Sequence, residues 1–227
     1  MAVVMPGKAA IIVAGGSGTR MGADRPKQFL ELAGEPVLLH TLRAFAEYDS
    51  GMQLIVVLPQ SHISEWESMY AGCAQDIPHQ LTAGGEQRFH SVKNGLALVR
   101  DAELVAVHDG VRPFVDAATI ERAFAAAEKY GAAVPVLPVD DTLREVNGSE
   151  SHWVDRARYV RIQTPQCFKT TLLKRAYQQD YSATFTDDAS VVEQLGERVE
   201  LVEGNVENFK ITVPFHLHVA ETVLAAR

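Results

Sequence analysis

The sequence predicts an α/β fold of three layers, a mainly parallel sheet between two layers of helices, and two features carry that prediction. Three short and almost uniformly apolar runs, Ala9-Ala-Ile-Ile-Val13, Gln53-Leu-Ile-Val-Val-Leu58 and Leu104-Val-Ala-Val-His108, lack in–out alternation, as strands covered on both faces do. Amphipathic helical patterns separate them, and a strand–helix–strand succession implies parallel pairing with right-handed crossovers. A chain of 227 residues, 47% hydrophobic and 22% charged, is large enough to bury such a core and excludes disordered or fibrous classes. One domain spanning residues 1–227 is expected.

The elements follow in order. Pro36 to Tyr48 has helical periodicity, with Leu38, Leu39, Leu42, Phe45 and Ala46 on one side. Pro59 stops the second strand, and Ser61 is placed to cap a helix running to about Tyr70. A strand from His79 to Thr82 leads to Gly84-Gly85 and then to a helix carrying Val92, Leu96 and Val99. A helix from Thr119 to Tyr130 and a strand from Ala132 to Val136 come after the third apolar run. Beyond Pro138 the rhythm breaks: Asp141 to Asp155 is polar, with a turn signal at Asn147-Gly148, and reads as a hairpin. This arm, at about 139–157, has no core duty and is expected to project as a lid or toward a partner subunit. Helices at Thr170 to Tyr181 and Asp187 to Leu195, a strand at Val199 to Val202, an extended Phe209 to Val213 and a helix opened by Pro214 complete the prediction.

Composition narrows the function. Lys and Arg number 21 against 29 Asp and Glu, a net charge of −8 with no long basic run, which argues against nucleic-acid binding. Cys73 and Cys167 lack any CxxC spacing, so neither a disulfide framework nor a zinc site is expected. No run approaches the roughly 18 apolar residues of a membrane span. The start, Met1 to Lys8, lacks the basic and apolar regions of an export signal, and a cytoplasmic location is expected.

Ligands of open parallel sheets bind beyond the carboxyl ends of the strands, so the loops after Val13, Thr82 and His108 are where chemistry is sought. The first reads Val13-Ala-Gly-Gly-Ser-Gly-Thr-Arg-Met-Gly22, a run whose backbone N–H groups can approach an anion closely. Gly16-x-Gly18 is followed by Gly22, one residue late for a dinucleotide fingerprint, and no Gly-Lys-[Ser/Thr] of a phosphate-binding P-loop is present. Arg20, Arg25 and Lys27 instead put cations in and just after the glycine turn, which suits a triphosphate or pyrophosphate. Asp109, at the sheet's carboxyl edge, is a candidate ligand for Mg²⁺ together with phosphate oxygens. His108, closing an apolar strand, is expected to be packed and hydrogen-bonded rather than a base. Arg158 and Arg161 are read as a solvated strand face.

The segment Ala14-Gly-Gly-Ser-Gly-Thr-Arg-Met with Pro26-Lys27-Gln28 resembles the signature of sugar nucleotidyltransferases, a Rossmann-like superfamily. Gly84-Gly-Glu-Gln-Arg88 with Ser91-Val92, His108-Asp-Gly-Val-Arg-Pro113, Asp141-Thr142, Val154-Asp-Arg156, Thr164-Pro-Gln166, Thr186-Asp-Asp-Ala-Ser190, Glu203-Gly204 and Asn208-Phe-Lys-Ile-Thr212 are together similar to one family within it. That family is the 2-C-methyl-D-erythritol 4-phosphate cytidylyltransferases of the non-mevalonate isoprenoid pathway, and the likeness runs nearly end to end.

The resemblance implies transfer of CMP from CTP to a polyol phosphate with release of pyrophosphate and a requirement for Mg²⁺. By it, Arg20 and Lys27 stabilise the transition state. CTP is held by Ala14, Gly15, Gly16, Ser17, Gly18 and Thr19 and by Gly84, Gly85, Glu86, Arg88 and Ser91. Arg156 and Lys210 position the polyol phosphate, with Arg112, Thr142, Thr164 and Thr186 adding contacts. The arm is expected to cross to a second subunit and complete its pocket, making a homodimer with shared sites. Departures from the family pattern are Gly15-Gly16, Thr19, Gly110-Val111 and His216; none removes an assigned cation. Ribitol 5-phosphate cytidylyltransferase, with the same fold and chemistry, is the alternative.

Overall fold

The structure, a computed structural model, describes residues 7–16, 25–73 and 76–227. Lys8–Val13 forms β1; the two-residue strands Glu31–Leu32 (β2) and Glu35–Pro36 (β3) pair with each other; Val37–Tyr48 is α1 and Gln53–Leu58 is β4. Ile63–Tyr70 (α2), Gln80–Ala83 (β5), Arg88–Leu98 (α3), Leu104–Asp109 (β6), Ala117–Tyr130 (α4) and Ala132–Pro138 (β7) follow in alternation. Leu143–Asn147 (β8) and Glu150–Val154 (β9) form the arm. Val160–Ile162 (β10), Gln166–Lys169 (β11), Thr170–Ala176 (α5), Asp188–Glu193 (α6), Glu200–Glu203 (β12) and Pro214–Ala225 (α7) complete the chain.

The eight-stranded sheet runs β10-β7-β11-β6-β1-β4-β5, with β12 on β7. β1 pairs in parallel with both β4 and β6, and β4 with β5. The carboxyl ends of these four strands therefore share one edge. Both faces are covered: Ala10, Ile12, Leu54, Val56 and Ala106 pack with residues of α1 and α4, while Ile11, Val57, Val105 and Val107 pack with residues of α3, α5 and α6. That two-sided burial is what the unalternated apolar runs require. Among the described residues no helix is long and apolar enough to cross a membrane.

Several expectations need correction. β11 is an unforeseen strand, antiparallel to both β6 and β7 and lying between them; its four residues have polar ends and no alternation to announce it. α2 begins after a 3₁₀ turn over Gln60–His62, and neither Ser61 nor any other side chain caps it. α5 stops at Ala176 rather than Tyr181, where Tyr177 stacks its ring on Phe89 with centroids 4.7 Å apart. The Phe209 to Val213 segment, expected to be extended, joins no sheet; Ile211 N–H donates to Val111 C=O at 2.9 Å and its side chain is buried. In the arm Asn147 pairs with Glu150, so the tight turn is Gly148-Ser149, one residue later than the Asn-Gly signal suggested. Gly148 has φ +59°, which glycine adopts without a Cβ clash.

Candidate active site

At the shared carboxyl edge lies a cavity of about 290 Å³, near the lower limit for small-molecule sites. Three loops build it. Ala14, Gly15 and Gly16 follow β1, Gly85, Glu86 and Arg88 follow β5, and Asp109 ends β6; Lys27, Gln28, Ser91 and Lys210 close the walls. Lys27 lies against the glycine turn: a Cβ built on Gly16 would stand 3.3 Å from Lys27 Cε. The turn after β5 needs both its glycines. A Cβ at Gly84 would meet Ser91 Oγ at 2.9 Å and one at Gly85 would meet His90 Cβ at 2.4 Å. Gly84 itself is pinned by donating to Leu58 C=O at 2.7 Å, and Gly85 N–H donates to Ser91 Oγ at 3.1 Å.

Asp109 is the electrostatic centre. Its Oδ2 receives Arg112 Nε at 3.0 Å and Lys210 Nζ at 3.1 Å. Burial alone would raise its carboxyl, but Lys210, Arg112 and Arg88 outweigh it and hold the group well below the usual carboxylate range. A directed relay fixes its backbone. Asp109 N–H donates to Thr164 Oγ1 at 3.1 Å, Thr164 and His108 Nδ1 are 3.1 Å apart, and His108 Nε2 lies 3.1 Å from Arg112 C=O. A carbonyl can only accept, so the imidazole carries its proton on Nε2 and Thr164 donates to Nδ1. His108 is wholly buried, and desolvation lowers its pKa to about 4 despite the Arg112 carbonyl. It is a neutral, packed histidine.

A second strut holds Arg88. Its Nη2 donates to Asp188 Oδ2 at 2.6 Å, and the other oxygen of this fully buried carboxylate takes the Tyr177 hydroxyl at 2.6 Å. Gln166 Oε1 accepts from the N–H groups of Asp188 and Ala189, and its Nε2 donates to Asp187, which caps α6. Sequence reading missed Asp188, Tyr177 and Gln166 in this role, although the Thr186-Asp-Asp-Ala-Ser190 and Thr164-Pro-Gln166 motifs contain the first and the last.

The structure thus brings together Ala14, Gly15, Gly16, Lys27, Gly85, Glu86, Arg88, Ser91, Asp109 and Lys210. Arg20, Ser17, Gly18 and Thr19 lie outside the described residues. Five expected substrate contacts, Thr164, Arg112, Thr186, Arg156 and Thr142, do not line this cavity within one chain. The Thr164 hydroxyl sits between Asp109 N–H and His108 Nδ1, and Arg112 bonds Asp109 through Nε and Asn208 C=O through Nη1 (2.8 Å), so both brace the wall behind Asp109. Thr186 is exposed beside α6, where its N–H donates to Ser190 Oγ. Arg156 lies at the base of the arm, bonded to Asp140 C=O, in a separate depression with Tyr159 and Val160. Thr142 is exposed at the start of the same arm. Within one chain neither Arg156 nor Thr142 lines the cavity.

For Mg²⁺, which keeps several waters and takes few protein ligands, a single carboxylate suffices. Asp109 lines the cavity, and both of its ion pairs use Oδ2, leaving Oδ1 without a partner among the described residues. No cluster of three or more His, Cys, Asp or Glu offers a competing site among those residues. The donor set fits a metal carried in with phosphate oxygens rather than one caged by protein.

Comparison with known proteins gives the family. Residues 8–226 match the family model described as IspD, 2-C-methyl-D-erythritol 4-phosphate cytidylyltransferase. The chain is 52% identical over 217 residues to the protein of that name from Bacteroides fragilis, covering 96% of this chain and 99% of the relative. It is 51% identical over 214 residues to the one from Bacteroides thetaiotaomicron, covering 94% and 98%. The crystal structure of the Thermus thermophilus enzyme of the same name is 35% identical, covers 97% of this chain and 100% of that one, and superposes with a TM-score of 0.78. With the strand order and the cavity described above, these likenesses show that the chain belongs to the 2-C-methyl-D-erythritol 4-phosphate cytidylyltransferase family of nucleotidyltransferases.

Proposed function

We propose that this chain transfers the CMP moiety of CTP to 2-C-methyl-D-erythritol 4-phosphate, giving 4-diphosphocytidyl-2-C-methyl-D-erythritol and pyrophosphate. The observation that carries the reading at the level of the site is a convergence of charge. In a chain of net charge −8, Lys27, Arg88 and Lys210 meet in one cavity beside the glycine turn. Anions there are held by fixed cations and backbone donors in a partly desolvated cleft.

An oxygen of the polyol phosphate attacks the α-phosphorus in line; that P–O bond forms as the bond to the β-phosphate oxygen breaks, and pyrophosphate leaves with the electron pair. The attacking phosphate is already ionised, so no general base is needed, in keeping with a neutral His108. Lys27, against Gly16, meets the charge that crowds on the phosphates, and Arg20 joins it by the family resemblance. Lys210, tethered to Asp109, offers its remaining N–H groups to the polyol phosphate. Asp109 would hold Mg²⁺, which when bound would supply neutralisation of the triphosphate charge. The cytosine rests on the Gly84-Gly85 turn near Ser91, where backbone groups at fixed positions read its polar edge.

Arg156 and Thr142 serve a different site: the hairpin crosses to a second copy and brings them to that copy's polyol phosphate. Its exposed apolar residues support this. Val146 and Trp153 are 70% and 64% exposed and share one face of the hairpin, because Trp153 pairs with Arg144 and Val146 with Ser151.

The decisive experiment is pyrophosphate release from CTP and Mg²⁺ with each alcohol phosphate in turn. Turnover with methylerythritol 4-phosphate at least about a hundredfold above that with ribitol 5-phosphate is expected, since a site built to hydrogen-bond one polyol discriminates strongly. Preference for ribitol 5-phosphate would overturn the substrate assignment, and no release with either would overturn the activity.

A further inference from the structure

The Pro26-Lys27-Gln28 segment contributes more to the cavity than its lysine. Lys27–Phe29 is one turn of 3₁₀ helix, closed by Phe29 N–H donating to Pro26 C=O at 2.9 Å. Phe29 is fully buried and stacks on Trp66, with centroids 5.9 Å apart and planes within 13°. The turn is therefore anchored in the core and its neighbours are held in place. Side chains of successive 3₁₀ residues diverge by about 120°, so Lys27 and Gln28 leave the cavity wall, to which both belong, in different directions.

Gln28 is 1% exposed, and neither Nε2 nor Oε1 of its carboxamide has a hydrogen-bond partner among the described residues. A buried amide left this way is costly, and native interiors seldom keep one without a reason. A hydrocarbon side chain of similar length would fill the space without that cost. An amide in the wall of a ligand cavity, its polar atoms closed off from that cavity in the free protein, instead points to a ligand toward which the side chain turns and which completes it. Its chemistry selects the ligand group. The amide gives two N–H donors and one carbonyl acceptor, whereas ionised triphosphate oxygens only accept and would leave Oε1 unmet. The sugar hydroxyls of a nucleoside, and the amine and ring nitrogen of cytosine, both donate and accept.

We infer that Gln28 is a nucleotide-binding residue whose carboxamide bonds the nucleoside half of CTP, its Nε2 donating and its Oε1 accepting. This rests on the assignment of CTP to the cavity and adds a specificity contact to it.

Gln28→Met tests it, since methionine keeps the length and removes both polar groups. Two readouts should move in opposite directions. The ligand-free variant should melt at the same temperature as the parent or higher, because it no longer buries unmet polar atoms. Its calorimetric affinity for CTP with Mg²⁺ should fall by about tenfold, the scale of one or two good hydrogen bonds, while inorganic tripolyphosphate binds both proteins alike. Titration with 2′,3′-dideoxy-CTP then separates the sources: equal binding to the two proteins assigns the sugar hydroxyls, and a persisting tenfold gap assigns the base. Gln28→Glu, which keeps the shape and an acceptor but no donor, should also lose CTP affinity. Unchanged CTP affinity in Gln28→Met, an equal loss of tripolyphosphate, or a lower melting temperature without ligand would overturn the inference and leave the CTP reading standing. Failure of the parent protein itself to bind CTP would remove that reading, and the inference with it.

Discussion

The cavity wall and the projecting hairpin carry the same kinds of ion pair in opposite surroundings. In the wall, Asp109 (side chain 12% exposed) joins Arg112 (13%) and Lys210 (40%), and the wholly buried Asp188 joins Arg88 (31%), so it is the carboxylates that are withdrawn from water. On the arm the Glu145 carboxylate hydrogen-bonds His152 with both 64% exposed, and at the arm's base Asp140 pairs with Arg161 of β10 with 74% and 54% exposed. Exposed pairs contribute about 0–1 kcal/mol and are screened by salt. Breaking a buried pair leaves a charge without its counter-ion, at about 3–5 kcal/mol. The wall is thus rigid by its own chemistry. The arm has two strands, no core and two large apolar side chains in water, and a lone hairpin is at best marginal.

The sharpest consequence for the wall concerns His108, the buried end of the relay that fixes Asp109. Its pKa is lowered to about 4 in the folded protein against 6.5 in the open chain. Between those values the unfolded chain binds the proton and the folded one does not. The contribution is fully present above about pH 6.5 and is lost as pH falls toward 4, by roughly 3 kcal/mol at about 1.36 kcal/mol per unit. Denaturant melts of the metal-free protein from about pH 7.5 to about pH 4.5 should show this decline, and His108→Gln should flatten it. An equal slope in the variant would mean that the histidine is not the titrating group.

Lys27→Ala comes next. A cation placed where transition-state charge develops is worth a factor on the order of 100 in kcat, so single-turnover rates at saturating substrates should fall that far while the melting temperature holds within a few degrees. A near-normal kcat would remove Lys27 from the chemistry and leave the cavity a binding site.

The contrast between wall and arm also decides what could be read from the sequence. Apolar runs such as Ala9 to Val13 announce two-sided burial directly, so the parallel core of the sheet was legible, as was the hairpin from its polar run and turn glycine. β11 was not: Gln166–Lys169 is recruited by the hydrogen-bonding edges of β6 and β7, which is a tertiary cause. The first glycine turn and Lys27 are legible because phosphate chemistry calls for cations beside backbone donors, whereas Arg88 and Lys210 are reached only through the family resemblance; the structure puts all three cations in one cavity. Thr164 and Arg112 also brace Asp109, a role that sequence does not announce, since a hydroxyl or guanidinium looks the same whether it faces a substrate or ties down a neighbour. Gln28 stood in a quoted motif, yet only its burial without partners singles it out.

Arg156 sets the arm against the wall most directly, because its side chain lies outside its own cavity. Arg156→Ala should raise the KM for the polyol phosphate by about tenfold, the loss of one charge-assisted phosphate contact, and leave CTP affinity and the melting temperature nearly unchanged. Its dependence on a second subunit can be read by mixing. In a two-fold dimer with exchanged arms, a hybrid of Lys27→Ala and Arg156→Ala chains holds one site with both residues intact. Equal mixing then restores about a quarter of the parent activity at low polyol phosphate, since half of the dimers are hybrids with one good site each. If the arm served its own chain, every site would lack one residue and mixing would restore nothing. That outcome would require Arg156 to swing from the hairpin base into its own cavity, and Val146 and Trp153 would then need another cover.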